Sequence, residues 1–226
     1  MTPTNGILEQ PLINVNADRV PTLELILMLT LIGLLPTFLV MMTSFTRIII
    51  ILGFLRNAMG IQQTPPNIVL AGISIFLTLF IMQPVISEVN TVAYQPYLRQ
   101  EITMQECFEK GAVPFKTFMI KNTEKTALKL FTDASKTEVP KDKTKLPLTL
   151  IVPAFLMTEL KRAFMAGFLL YLPFMLIDIV VSSILMSMGM MMLPPAMISL
   201  PFKLLLFVVL DGWHLLFQSL LLRGYQ

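Results

Sequence analysis

Two short stretches, MGIQQTPP at residues 59–66 and MGMMMLPP at 188–195, decide how this chain folds. Each opens with Met-Gly and closes with a proline pair, so Gly60, Pro65 and Pro66 recur 129 positions later as Gly189, Pro194 and Pro195. Two prolines in a row end a helix, because each lacks a backbone N–H and crowds the preceding turn. The sequence is apolar on both sides of both breaks. The spacing therefore predicts two helical hairpins of one design. A parallel repeat of this kind is common among membrane transport proteins, but it establishes architecture rather than activity.

Outward from the first turn, apolar runs cover Leu23–Met42, Ile48–Leu55 and Ile68–Ile86; around the second they cover Ala163–Leu185 and Ile198–Leu222. About 20 helical residues cross a bilayer core, and several of these runs are that long. Between the hairpins the character changes. Residues 88–147 hold ten of the 17 basic and eight of the 14 acidic side chains. There Thr103 and Glu106 read as a capping box, Gly111 as the stop of that helix, and Pro114 as the first position of the next. A third short helix is expected over Thr123–Ala134, followed by a solvated linker at 136–147.

The expected organisation is an all-α membrane protein in four parts. These are a polar N-terminal segment (1–22), a first apolar hairpin (23–87), a helical polar insert (88–147) and a second hairpin with a methionine loop (148–226). Residues 1–22 lack the basic start and short apolar core of a signal peptide. Either such a signal was removed, or the first apolar run does the targeting. Arg47 and Arg56 flank the first turn, and short basic loops favour the cytoplasm. That places the insert outside, in the periplasm of a Gram-negative cell.

Composition agrees with a membrane setting. Hydrophobic residues make up 55% of the chain and charged ones 14%, with a mean hydropathy of +0.74; a soluble domain carries about 25% charge. The net charge of +3 is not gathered into a patch, which argues against a nucleic-acid partner. A lone Cys107 and a lone His214 leave little for disulfide, metal or histidine chemistry. There is no phosphate-binding GxxxxGK[ST] loop and no HExxH. The expectation is a protein with no enzyme activity, no cofactor and no metal.

Five of the seven residues from Met186 to Met192 are methionine: Met186, Met188, Met190, Met191 and Met192. Unbranched thioether chains repack at small cost and could seal around a moving object. Ordinary packing is an equal reading, and Cu(I) binding is a third, weakened by the lack of nearby Cys or His. Asp178, Lys203 and Asp211 lie within apolar runs, where charge is costly and points to a partner, a cavity or a relay. A neighbouring helix or subunit is the expected mate for Asp178 and Lys203. Asp211 and His214 are spaced to share a helix face, or else Asp211-Gly212 marks a helix end. Glu159 and Arg162 are three apart and can pair; with Lys161 they read as an interfacial charged patch.

The stretch RIIIILGFLRNAMGIQQTPPNIVLAGISIFLTLFIMQPV (47–85) closely resembles the first signature of the flagellar export-gate P subunit family, FliP. FLLYLPFMLIDIVVSSILMSMGMMMLPPAMISLPFKLLLFVVLDGW (168–213) resembles the second. The resemblance implies a core subunit of the type III protein export gate in the bacterial inner membrane, within the flagellar basal body. There, five P subunits and the Q and R subunits would enclose a channel for unfolded flagellar proteins, beside the A and B export subunits and a cytoplasmic ATPase complex. It implies that Met190, Met191 and Met192 line the constriction, and that Asp178, Lys203 and Asp211 are buried at intersubunit contacts. It also implies hairpins raised out of the bilayer plane. The same family includes the equivalent subunit of virulence secretion injectisomes, which is the alternative reading that the resemblance leaves open. Readings from other classes are a proton-coupled small-solute transporter using Asp178 or Asp211, and an accessory scaffold without a pore.

Overall fold

The computed structural model describes residues 21–61, 64–136, 140, 142–190 and 192–223. Among these residues there are helices and turns and no strand. The all-α expectation holds. The helices are α1 (Pro21–Met42), α2 (Phe45–Ala58), α3 (Asn67–Val89), α4 (Gln95–Leu98), α5 (Met104–Asn122), α6 (Lys125–Ala134), α7 (Leu148–Ser187), α8 (Pro195–Val209) and α9 (Gly212–Gln218). By contacts the chain forms two compact units, Met1–Phe38 and Leu39–Gln226. The description below concerns the second, which holds both turns.

Among the described residues, two continuous helices are long and apolar enough to cross a membrane, Asn67–Leu98 and Leu148–Ser187, and up to four if each of two bent pairs counts as one span. The first of them runs from α3 into α4 through a π-turn at Asn90–Tyr94. The second, α7, spans 40 residues, about 60 Å of helix, twice the hydrocarbon thickness of about 30 Å. Large apolar side chains face outward along these helices: Phe76 is 75% exposed and Leu176 63%. Such a surface cannot rest in water and is suited to lipid or to neighbouring chains.

α7 is the spine, and its two halves do different work. Its first half carries the insert: Ile151, Ala154 and Phe155 pack with Met119, Ala127, Leu128 and Leu146 in one buried cluster. Phe118 meets Phe155 edge-on at 5.9 Å, and the Glu124 amide donates to Thr158 Oγ1 at 3.1 Å. The second half joins the core of the hairpins. Ala163 and Phe174 pack with Ile48, Ile51, Leu52 and Leu55 of α2, Leu70 of α3, and Phe207 and Leu216 beyond.

The insert differs from its sequence reading in two respects. The expected linker at 136–147, of which 137–139 and 141 lie outside the described residues, ends in a turn at Lys143–Lys145 with Leu146 buried in the insert cluster; the helix plan also changes. The Thr103–Glu106 capping box is present in full, but the helix it opens neither stops at Gly111 nor restarts at Pro114. α5 runs through both to Asn122. Gly111 is a packing position instead of a cap, since a Cβ there would lie 3.5 Å from Ala93 Cβ and 3.8 Å from Val89. Close approach to the π-turn and burial of Pro114 and Met119 offset the backbone bond that proline removes. The third short helix appears as α6.

The last apolar run, Ile198–Leu222, is not straight. α8 and α9 meet at a 60° bend. Asp211 sits at that corner with φ +50°, the left-handed region. Phe207 lies so close to Gly212 that a Cβ there would come within 2.3 Å of its ring. Trp213 stacks edge-on against Phe207 at 5.3 Å.

Candidate functional site

The two turns are alike down to their backbone bonds. Gly60 has φ +78° and Gly189 φ +75°, a conformation glycine adopts freely. In the first turn Gly60 N–H donates to Asn57 O at 3.0 Å and Ile61 N–H to Arg56 O at 3.3 Å. In the second, Gly189 N–H donates to Met186 O at 3.0 Å and Met190 N–H to Leu185 O at 3.0 Å. Each glycine thus closes a helix by the same pair of bonds. Pro66 and Pro194 then stand at the N-caps of α3 and α8. Arg56 ties the first turn from within, donating to Pro65 O and to Asn67 Oδ1. Gln62, Gln63 and Met191 lie outside the described residues.

The hairpins pack in parallel but out of step. Arg47 near the start of α2 pairs with Glu159, a separation of 112 residues. Further along, Phe54 meets Phe164 edge-on at 5.6 Å and lies against Gly167, where a Cβ would come within 2.4 Å of its ring. Partner numbers rise together, so α2 and α7 run the same way. The repeat itself, however, is offset by 129. The second turn therefore stands roughly 17 residues, or about 25 Å of helix, beyond the first along α7.

That overhang carries the methionines. Met186, Met188 and Met190 are exposed, and Met192 is 99% exposed. An apolar groove lined by Ile177, Val180, Val181, Ile184, Ile198 and Phe202 runs along the overhanging part of α7 and α8.

At the root of the overhang sit two of the intramembrane charges. Lys203 Nζ donates to Asp178 Oδ2 at 2.6 Å and Ser199 Oγ to Asp178 Oδ1 at 2.6 Å. Lys203 is buried, whereas the Asp178 side chain is 36% exposed. Their pairing is within the chain, between α7 and α8. Asp211 is not buried at all: the left-handed corner turns it outward, and it is exposed along with His214.

The charged patch expected at Glu159, Lys161 and Arg162 is resolved into two separate features. Glu159 is fully buried and binds Arg47 through both carboxylate oxygens: Nε donates to Oε2 at 2.8 Å and Nη2 to Oε1. Its mate is on α2 rather than at Arg162. Lys161 turns to the insert and donates to Glu124 Oε2 at 2.7 Å. That bond, with smaller contributions from the charges of Lys161 and Arg162, holds the Glu124 carboxyl below its usual range. Among the described residues no group of three or more His, Cys, Asp or Glu could hold a metal ion.

The model of the FliP family matches residues 28–220, which takes in both hairpins and the insert. The chain belongs to the FliP family. It is 50% identical over 200 residues to the flagellar biosynthetic protein FliP of Bacillus subtilis (strain 168), covering 88% of this chain and 90% of that protein. The FliP of Pectobacterium carotovorum subsp. carotovorum is 47% identical over 221 residues, 98% of this chain and 86% of that protein. The FliP of Aquifex aeolicus (strain VF5) is 47% identical over 213 residues, with 92% and 88% covered. As a FliP-family chain with apolar helices able to span a bilayer, it is a membrane protein of flagellum biogenesis and protein transport.

Proposed function

We propose that this chain is a non-enzymatic core subunit of the flagellar type III export gate, in which the methionine turn closes the channel. One observation carries the reading: in a FliP-family chain, exposed thioether side chains crowd the tip of a hairpin that overhangs its twin by about 25 Å. Exposed methionine is flexible and polarizable, so several copies meeting at an axis can seal against ions and still part for a polypeptide. Five copies with the Q and R subunits form that axis, in the inner membrane within the basal body, and the A and B subunits deliver unfolded flagellar proteins to it. The outward apolar faces of α3 and α7 are the surfaces available to those sister chains. Asp178, tied by Lys203 and Ser199, is a structural group in this reading rather than the coupling carboxylate of a solute transporter.

Replacing Met190, Met191 and Met192 together by Ala is expected to leave the complex assembled while making the resting membrane leaky to small ions. Unchanged closed-state conductance in assembled complexes would refute the seal. The insert lies on the periplasmic side. The single Cys107, half-exposed on α5, should therefore react with a membrane-impermeant maleimide added to intact spheroplasts. Labelling only after lysis would reverse the orientation.

A further inference from the structure

Lys203 occupies an unusual seat. Its side chain is buried between α7 and α8 with its ammonium on Asp178. The same Nζ would lie 4.0 Å from a Cβ built on Gly60. The lysine is thus flanked by the carboxylate on one side and by the first turn on the other. Gly60 is left-handed, the conformation that closes the first turn beside the lysine. Lys203 therefore brings together α8, α7 and the first turn at one point.

That point is where the two hairpins part company. Below it, α2 and α7 are joined by the Arg47–Glu159 pair and the packing of Phe54 on Gly167. Above it, the described part of the overhang is held by apolar contact at Val181 and Leu185 and bordered by the groove over Ile198 and Phe202. Apolar contacts alone are non-directional and fix register poorly, whereas a buried ion pair is costly to form and best attested as a register device. From Asp178 to the end of α7 at Ser187 is about 14 Å of helix, so a slip of α8 against α7 at the root displaces the methionine turn that joins them.

The geometry points to Lys203 as a positioning residue: bound to Asp178 across the second hairpin and seated beside the first turn at Gly60, it fixes α8 against α7 and with it the place of the methionine turn that joins them. Its link to gating rests on the methionine turn being the constriction; its effect on the place of that turn does not. The test uses the full chain in assembled complexes in membranes. Spin labels are attached at Asn57→Cys and Met192→Cys in a Cys107→Ser background, with labelled chains diluted by unlabelled ones. Lys203→Met is expected to shift or broaden the 57–192 distance on the order of one helical turn, about 5 Å, and to raise ion leak. Asp178→Asn, which keeps an acceptor for Ser199, is expected to do the same to a smaller degree.

An unchanged distance in assembled complexes of both variants would overturn the assignment. So would failure of both to assemble, since the pair would then be a folding element and no register device. A changed distance with an unaltered leak would preserve the positioning role and sever it from the gate. A leak-free methionine triple variant would sink the constriction reading without touching the distance measurement.

Discussion

Removing the Glu159 carboxylate should cost the fold several kcal/mol. Glu159 is 0% exposed and Arg47 4%, and the guanidinium meets the carboxylate through two nitrogens. Glu159→Ala would take from a buried cation, which cannot shed its proton, the carboxylate it meets through two nitrogens. Breaking a pair of this burial costs about 3–5 kcal/mol, a shift of roughly 100- to 4,000-fold in the folded-to-unfolded ratio. Replacing both partners together, as Arg47→Met with Glu159→Leu, keeps the volume and removes both desolvation costs. The double variant should therefore return to within about 2 kcal/mol of the parent. Equilibrium unfolding of the purified chain in detergent, read by far-UV circular dichroism, measures both. A single variant within about 1 kcal/mol of the parent would refute the reasoning, because exposed pairs behave that way. So would a double variant less stable than the single one.

Two further outcomes follow from contacts already described. Gly167→Ala places a methyl within 2.4 Å of the Phe54 ring, and overpacking of this kind typically costs about 1–3 kcal/mol. The companion change Phe54→Leu should recover part of the loss; equal instability in the double variant would show that the clash is not the cause. In the insert, the Thr103 backbone and hydroxyl bonds lower the pKa of Glu106. Its contribution is then present above the ordinary carboxyl value and lost as pH falls through the lowered one. Amide exchange at the start of α5 should accelerate in acid, and a Glu106→Gln variant should lose that pH dependence. Identical acid profiles would contradict the capping box as its origin.

Much of the fold was legible because it is local. Proline pairs, Met-Gly turns and the Thr103–Glu106 box act on neighbours a few residues away, and each appears where its chemistry places it. What escaped was decided at long range. Arg162 is the obvious mate for Glu159 on a helical wheel, yet the mate is 112 residues distant on α2. Nothing in the local spacing reveals it, apart from an arginine standing at the head of an apolar run. Gly111 and Pro114 read as punctuation, but close packing on Ala93 and burial of Pro114 carry the helix through. For Asp211 the spacing allows either a face shared with His214 or a helix end at Asp211-Gly212, and the left-handed corner between α8 and α9 is the helix end. For the candidate site, the sequence names the methionines and the repeated turns. The stagger between repeat and packing registers exists only once α2 is laid against α7.

The unbroken length of α7 gives the molecule a lever arm. From Phe155, locked into the insert cluster, to the cap at Met188 is about 50 Å of helix. Tilting such a rod by about 5° about its insert end sweeps its far end through roughly 4 Å, close to the width of a single side chain. If the methionine turn closes the channel as proposed, rocking too slight to disturb the packing around Phe155 would be magnified at the other end to about the width of a thioether chain.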